Sequence, residues 1–131
     1  MIKSLLKKYL TPSTHSDLKV KESKEATFQL NLDEMVVGIL SFKDGNWMFK
    51  YSDEYKENSL SPISGFPAID KIYRSEDLWP FFSSRIPSLA RQNIQDKIKK
   101  KGINENDYLA LLSFFGKRTI TNPFELHNIS H

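Results

Sequence analysis

Asp44-Gly45 lies between two runs, Met35 to Phe42 and Asn46 to Tyr51, that are rich in β-branched and aromatic side chains. A two-residue turn that matches the twist of its flanking strands needs positive φ, and glycine accepts that conformation with little steric penalty. The dipeptide is the strongest short-range hairpin signal in the chain, and it commits this region to antiparallel sheet. Upstream, Ala26, Phe28, Leu30 and Leu32 alternate with Thr27, Gln29 and Asn31, the period of a half-buried strand. Residues 52–69 are rich in Ser, Pro and Gly and read as an irregular loop centred on NSLSPISGFP.

Beyond that loop the pattern turns helical. Pro80 suits the first turn of a short helix over about residues 78–85, and Pro87 ends it. Ser88 is expected to cap a second helix, in which Ala90, Ile94 and Ile98 recur every four residues and Gly102 closes the end. Asn104 is expected to cap a third, with Asp107 in its first turn, carrying Tyr108, Leu109, Leu111, Leu112, Phe114 and Phe115 up to Gly116. That helix is apolar over most of its circumference, which predicts a central position. A closing strand over about residues 119–127 is expected to turn Phe124, Leu126 and Ile120 inward. Strands, then helices, then one more strand make an α+β fold: a small antiparallel sheet packed with three C-terminal helices and a closing strand.

At 131 residues the chain has the length of one domain, expected over residues 25–131, preceded by a basic leader over residues 1–24. The leader holds six lysines against Asp17 and Glu22, a net +4, while the remainder holds 13 basic and 14 acidic groups, a net −1. Within it Ile2, Leu5, Leu6, Tyr9 and Leu10 fall on one helical face with Lys3, Lys7 and Lys8 opposite, and a polar linker follows. A helix this short is marginal alone, so its apolar stripe must dock on its own domain, on a partner groove or on a membrane surface. No run reaches the length of a membrane span and nothing near Met1 resembles a signal peptide, so a cytoplasmic protein is expected.

The chemistry-bearing residues are few. The absence of cysteine excludes disulfides, thiolate metal sites and cysteine nucleophiles. His127 and His131 are spaced as a metal pair on a helix would be, but no third ligand accompanies them near the C-terminus. The five glycines are isolated, and neither a phosphate-binding loop nor a nucleophile elbow is present. The acidic pairs Asp53-Glu54 and Glu76-Asp77 read as helix-start or solvent-facing charge. No enzyme activity, metal or cofactor is expected. The lysines at 97, 99, 100 and 101 read as cations at a helix C-terminus rather than as a nucleic-acid patch, since no aromatic interleaving accompanies them. Leu78-Trp79-Pro80-Phe81-Phe82 is less ordinary: three large aromatics in four positions cannot all point one way, and such side chains dominate interface energetics. Trp79, ahead of the proline, is expected to be the exposed one.

Four stretches in order, VGILSFKDGNWMFKY (37–51), SLSPISGFP (59–67), YRSEDLWPFFSSRIP (73–87) and NDYLALLSFFG (106–116), resemble the N-terminal subdomain of HipA-type serine/threonine kinases of bacterial toxin–antitoxin systems. That family shows a glycine-containing hairpin, an LSPSLP-like loop, an FFENLLPEG-like segment and an FALLALLG-like helix. The chain departs from it where Arg85-Ile86-Pro87-Ser88-Leu89 replaces the acidic and glycine positions, and where Lys117 to Thr121 replaces the usual D-x-x-G-A-L. It also carries no kinase phosphate loop, catalytic aspartate or magnesium site. A free-standing subdomain of this kind resembles the HipS-like antitoxins of three-part HipBST systems. The resemblance implies a non-catalytic subunit that inhibits a HipT-like kinase by supplying the missing subdomain in trans. A helix-turn-helix HipB-like protein would join the larger complex and link it to DNA. Partner contacts are then expected at Trp79, Phe81 and Phe82, with Ser59, Ser61, Pro62 and Arg85 beside them. An accessory assembly subunit without direct inhibition and a nucleic-acid-binding module are the alternatives.

Overall fold

A computed structural model describes residues 24–58, 61–119 and 122–130 of the chain. The expectations for residues 1–23, for Ser59 and for Ile120 lie outside the described residues. The fold is mixed α+β: a five-stranded antiparallel sheet with four short helices and a closing C-terminal strand. The strands are β1 (Ala26–Leu32), β2 (Met35–Lys43), β3 (Asn46–Tyr51), β4 (Tyr73–Ser75) and β5 (Phe124–Asn128), in the spatial order β4-β3-β2-β1-β5. The helices are α1 (Asp53–Glu57), α2 (Pro80–Ser83), α3 (Gln92–Lys100) and α4 (Tyr108–Phe115). None of the described helices is long and apolar enough to cross a membrane.

The β2–β3 hairpin closes as its turn chemistry requires. Lys43 faces Asn46, and both Asp44 (φ 53°) and Gly45 (φ 79°) adopt positive φ, the signature of a type I′ turn. A bulge interrupts the β1–β2 ladder: Leu30 faces Gly38 while Asn31 faces Val36, which leaves Val37 as the extra residue on β2. The carbonyls exposed there are taken by Ser52, whose N–H donates to Val37 O at 2.8 Å and whose Oγ donates to Val36 O at 2.5 Å. Ser52 also caps α1, accepting from the Tyr55 N–H at 3.0 Å.

One face of the sheet forms the core. Phe28, Leu30, Leu40, Phe42, Trp47, Phe49 and Leu126 are buried there, and Phe82, Leu111 and Leu112 pack on them from α2 and α4. The opposite face carries Thr27, Gln29, Ile39, Ser41, Met48 and Lys50, a mixed surface normal for an antiparallel sheet with one wet side.

Several local expectations move. The stretch read as an irregular loop begins with α1, and the three-residue strand β4 emerges from a segment with no strand periodicity. Ser88 does not cap α3. It starts a turn, accepting from the Arg91 N–H at 3.3 Å, and the helix begins four residues later with Arg91 at its N-cap. Asn104 likewise forms its own turn, its Oδ1 accepting from the Asn106 N–H at 2.8 Å, and Asp107 takes the cap of α4 through the Ala110 N–H at 3.1 Å. The strand β5 begins at Phe124, later than expected, and ahead of it Thr119 Oγ1 donates to Asn122 O and accepts from the Asn122 N–H, each at 2.9 Å. Helix α4 packs into the core through Leu111 and Leu112, which are buried, while Tyr108, Leu109, Phe114 and Phe115 are half-buried. The helix runs over the sheet, its Tyr108 ring 6.5 Å from that of Trp47 on β3 and its C-cap Gly116 beside Leu126 of β5.

Gly38 occupies the tightest point of the bulge. A Cβ there would stand 2.5 Å from Lys50 O and 2.8 Å from the Phe49 ring. Gly38→Ala is expected to destabilise the fold by about 1–3 kcal/mol through forced displacement of the β3 backbone. A urea unfolding curve with a lower midpoint and an unchanged slope would show it.

Candidate partner-docking face

Three tyrosine hydroxyls shape the loop after α1. Tyr51 donates to Phe66 O at 2.6 Å and accepts from the Ile63 N–H at 2.9 Å. Tyr55 donates to Ser61 O at 2.6 Å, and Tyr73 accepts from the Ala68 N–H at 2.7 Å. Burial pushes the Tyr51 hydroxyl above its ordinary pKa, with the Ile63 N–H opposing, and burial alone does the same at Tyr55. Both stay protonated and able to donate across the physiological range.

The pinned loop delivers Phe66 into the core. Its ring, 1% exposed, lies 4.8 Å from Phe49, 5.0 Å from Tyr73, 5.2 Å from Trp79 and 5.8 Å from Phe82, mostly tilted or edge-to-face. Trp79 is the N-cap residue of α2, with β-region dihedrals set ahead of Pro80, and it lays its indole on Phe66. Phe81 reaches the other way, its ring 5.6 Å from that of Phe124 at the start of β5. Tyr73, Trp79, Phe81 and Phe124 are each half-buried, so they form a row of partly exposed rings around a buried Phe66. Exposed Ile72, 48% accessible, and Lys71, 5.0 Å over the Tyr73 ring, extend the row at one end.

The expected contact residues divide accordingly. Ser61 and Pro62 are exposed on the pinned loop, Trp79 and Phe81 present partial surface, and Phe82 is fully buried against Phe49 and Phe66. Arg85 is also interior, at 6% exposure. Its Nη1 donates to Gly116 O and to Phe124 O, each at 2.9 Å, and the Phe81 ring lies 5.5 Å from its Cζ. Desolvation pulls this guanidinium down to about 10. Phe82 and Arg85 therefore support the row from beneath.

Phe66, Tyr73 and Phe124 were not picked out by sequence reasoning as part of this face. The tyrosine spacing carries no motif, and a lone Phe in a Ser/Pro/Gly-rich loop gives no periodic signal. The four lysines of the basic run lie exposed on the last turn of α3 and at its C-cap, by the negative end of the helix dipole. His127 pairs with Glu125 at 3.1 Å, and Glu125 also meets Arg118 at 3.3 Å. Among the described residues no three His, Asp or Glu side chains gather as a metal site.

Phe66→Ala is expected to lower stability by about 3–5 kcal/mol, the range for emptying a buried aromatic site, read from chemical denaturation. Tyr51→Phe is a narrower test. It leaves the Ile63 N–H and one Phe66 acceptor site unpaired, for an expected loss of about 1–3 kcal/mol. Hydrogen exchange at the Ile63 amide should accelerate while amides of the β1–β2 ladder keep their protection.

No curated protein matches the chain. The HipA N-terminal domain matches it over residues 28–121, which takes in the sheet through β4, the pinned loop, the aromatic row up to Phe81 and helices α1 to α4. The match covers well over half of the sequence, and it concerns the part of HipA proteins that lies outside the kinase catalytic core. The chain belongs to the HipA N-terminal domain family.

Proposed function

We propose that the chain is a non-catalytic antitoxin subunit that docks on a HipA-like serine/threonine kinase and restrains it, acting in trans as the N-terminal subdomain. The observation that carries this reading is the row Tyr73, Trp79, Phe81 and Phe124, held half-exposed around Phe66 in a domain of the HipA N-terminal family. In a fused kinase such rings would have the rest of the protein to pack against. In a separate chain they leave an aromatic surface whose burial on a partner is the main source of binding energy. In this reading Trp79 is the side chain that inserts into the partner: it is half-exposed, and Pro80 and the four-residue α2 fix its backbone at the mouth of the helix. Ser61 and Pro62 lie exposed on the loop that carries Phe66 and supply the rim. A HipB-like helix-turn-helix protein would complete the assembly on DNA.

Co-expression with a HipA-like kinase encoded beside the gene, followed by co-purification and a phosphorylation assay, tests the proposal. A tight complex with suppressed phosphoryl transfer is expected. Trp79→Ala, checked for folding by circular dichroism, should weaken that complex at least about tenfold, the loss of an aromatic anchor, and release kinase activity. A tight complex with unchanged activity would point to an assembly subunit instead. Absence of any complex would leave shared fold ancestry alone.

A further inference from the structure

Arg85 is the one buried charged residue among those described, and the fold uses only part of it. Nη1 is saturated by the carbonyls of Gly116 and Phe124, the first of which is the C-cap of α4. Nε and Nη2 are buried and have no hydrogen-bond partner. None of the ion pairs among the described residues involves Arg85. A buried cation that meets two carbonyls and an aromatic face but no anion is unfavourable, and each unmet donor adds to that penalty. The two free nitrogens are the pair that share one edge of the planar guanidinium. That edge matches the two oxygens of a carboxylate in a parallel, bidentate arrangement.

The position of the side chain relates it to the docking row. The Phe81 ring covers the guanidinium at 5.5 Å and abuts Phe124 at 5.6 Å. Both rings are half-buried, and Arg85 lies beneath them, against the Phe81 ring and bonded to the Phe124 carbonyl.

We propose that Arg85 is the anion receptor of the docking face, and that a side-chain carboxylate of the kinase partner occupies its Nε–Nη2 edge by entering between Phe81 and Phe124. This rests on the docking reading and adds the chemistry of the partner's anchor: an acidic residue flanked by apolar surface. Both nitrogens are covered in the free chain, so the carboxylate reaches them as the Phe81 ring turns aside. Nη1 keeps its two carbonyls, and the carboxylate pairs Nε–H and one Nη2–H, so four of the five guanidinium N–H groups are met in the complex. Partners lacking an acidic group at that point leave the cation buried and uncompensated, which gives the face selectivity as well as affinity.

The test is nitrogen-15 NMR of the arginine side chains on the full chain, alone and in the kinase complex, with complex formation followed separately by size-exclusion chromatography. On binding, the Arg85 Nε–H resonance is expected to move downfield and its hydrogen exchange to slow at least about tenfold, as for a donor newly held by an anion. Arg85→Met, which keeps an apolar stem, should bind the kinase at least about tenfold more weakly, equivalent to about 1.4 kcal/mol. A complex that forms with the Arg85 resonance unmoved, or an Arg85→Met protein that binds as the wild type does, overturns the proposal while the docking reading stands. If Arg85→Met does not fold, the NMR comparison decides alone. Failure of the wild-type chain to form a complex overturns both readings, and the chromatography shows it before Arg85 is considered.

Discussion

The contact between Phe66 and Phe49 ties the irregular half of this protein to its regular half. Phe49 belongs to the middle of β3, and Phe66 arrives from a loop with no periodic structure of its own. Burying one phenylalanine contributes about 1.5–3 kcal/mol, and each well-placed ring pair adds about 0.5–1.5 kcal/mol. Phe66 makes such pairs with Phe49, Tyr73, Trp79 and Phe82, so the sheet, the loop and α2 share one anchor. A four-residue helix does not persist in water by itself. Helix α2 exists because Phe82 and Trp79 are held on Phe66, and the loop exists because Tyr51, Tyr55 and Tyr73 satisfy its backbone groups.

A second constraint acts at the far side of the sheet. The strand β5 is an edge, and an open edge invites pairing with another chain. Two of its outward groups are occupied: the Leu126 N–H donates to Gly116 O at 3.0 Å, and Phe124 O accepts from Arg85. The same arginine nitrogen serves both Gly116 and Phe124, so α2, α4 and β5 meet at one guanidinium. The exposed aromatic row therefore rests on two supports, Phe66 under its middle and Arg85 under its end. Stiff support suits a docking surface, because rings already held in place lose little conformational freedom on binding.

Hairpin chemistry, strand alternation and the order of the longer elements were legible in the amino acids, and so were the termini of α3 and α4 marked by Gly102 and Gly116, whereas α1 and β4 were not. Those signals are local: a turn that needs positive φ, a period of two, a stop that needs a residue without Cβ. The N-termini of the same helices were misread, since Ser88 and Asn104 each satisfy a nearby N–H in a turn of their own. A capping side chain reports only that some N–H close by is met. The segment around Trp79 drew attention for its aromatic density, but no periodicity in a four-residue helix tells which ring faces in.

What the residues decide alone is where the chain turns and which strand faces are apolar, because dihedral preference and hydrophobic period act over a few positions. Membership in the HipA N-terminal domain family is likewise carried by the order of motifs along the chain. Tertiary structure decided the rest. It placed Phe82 inside and Trp79 and Phe81 at the surface, brought Phe124 beside Phe81 from more than forty residues away, and left half of the Arg85 guanidinium unpaired. Such outcomes depend on which distant groups compete for the same space and the same hydrogen-bond partners. That competition has no counterpart in the local pattern of residues.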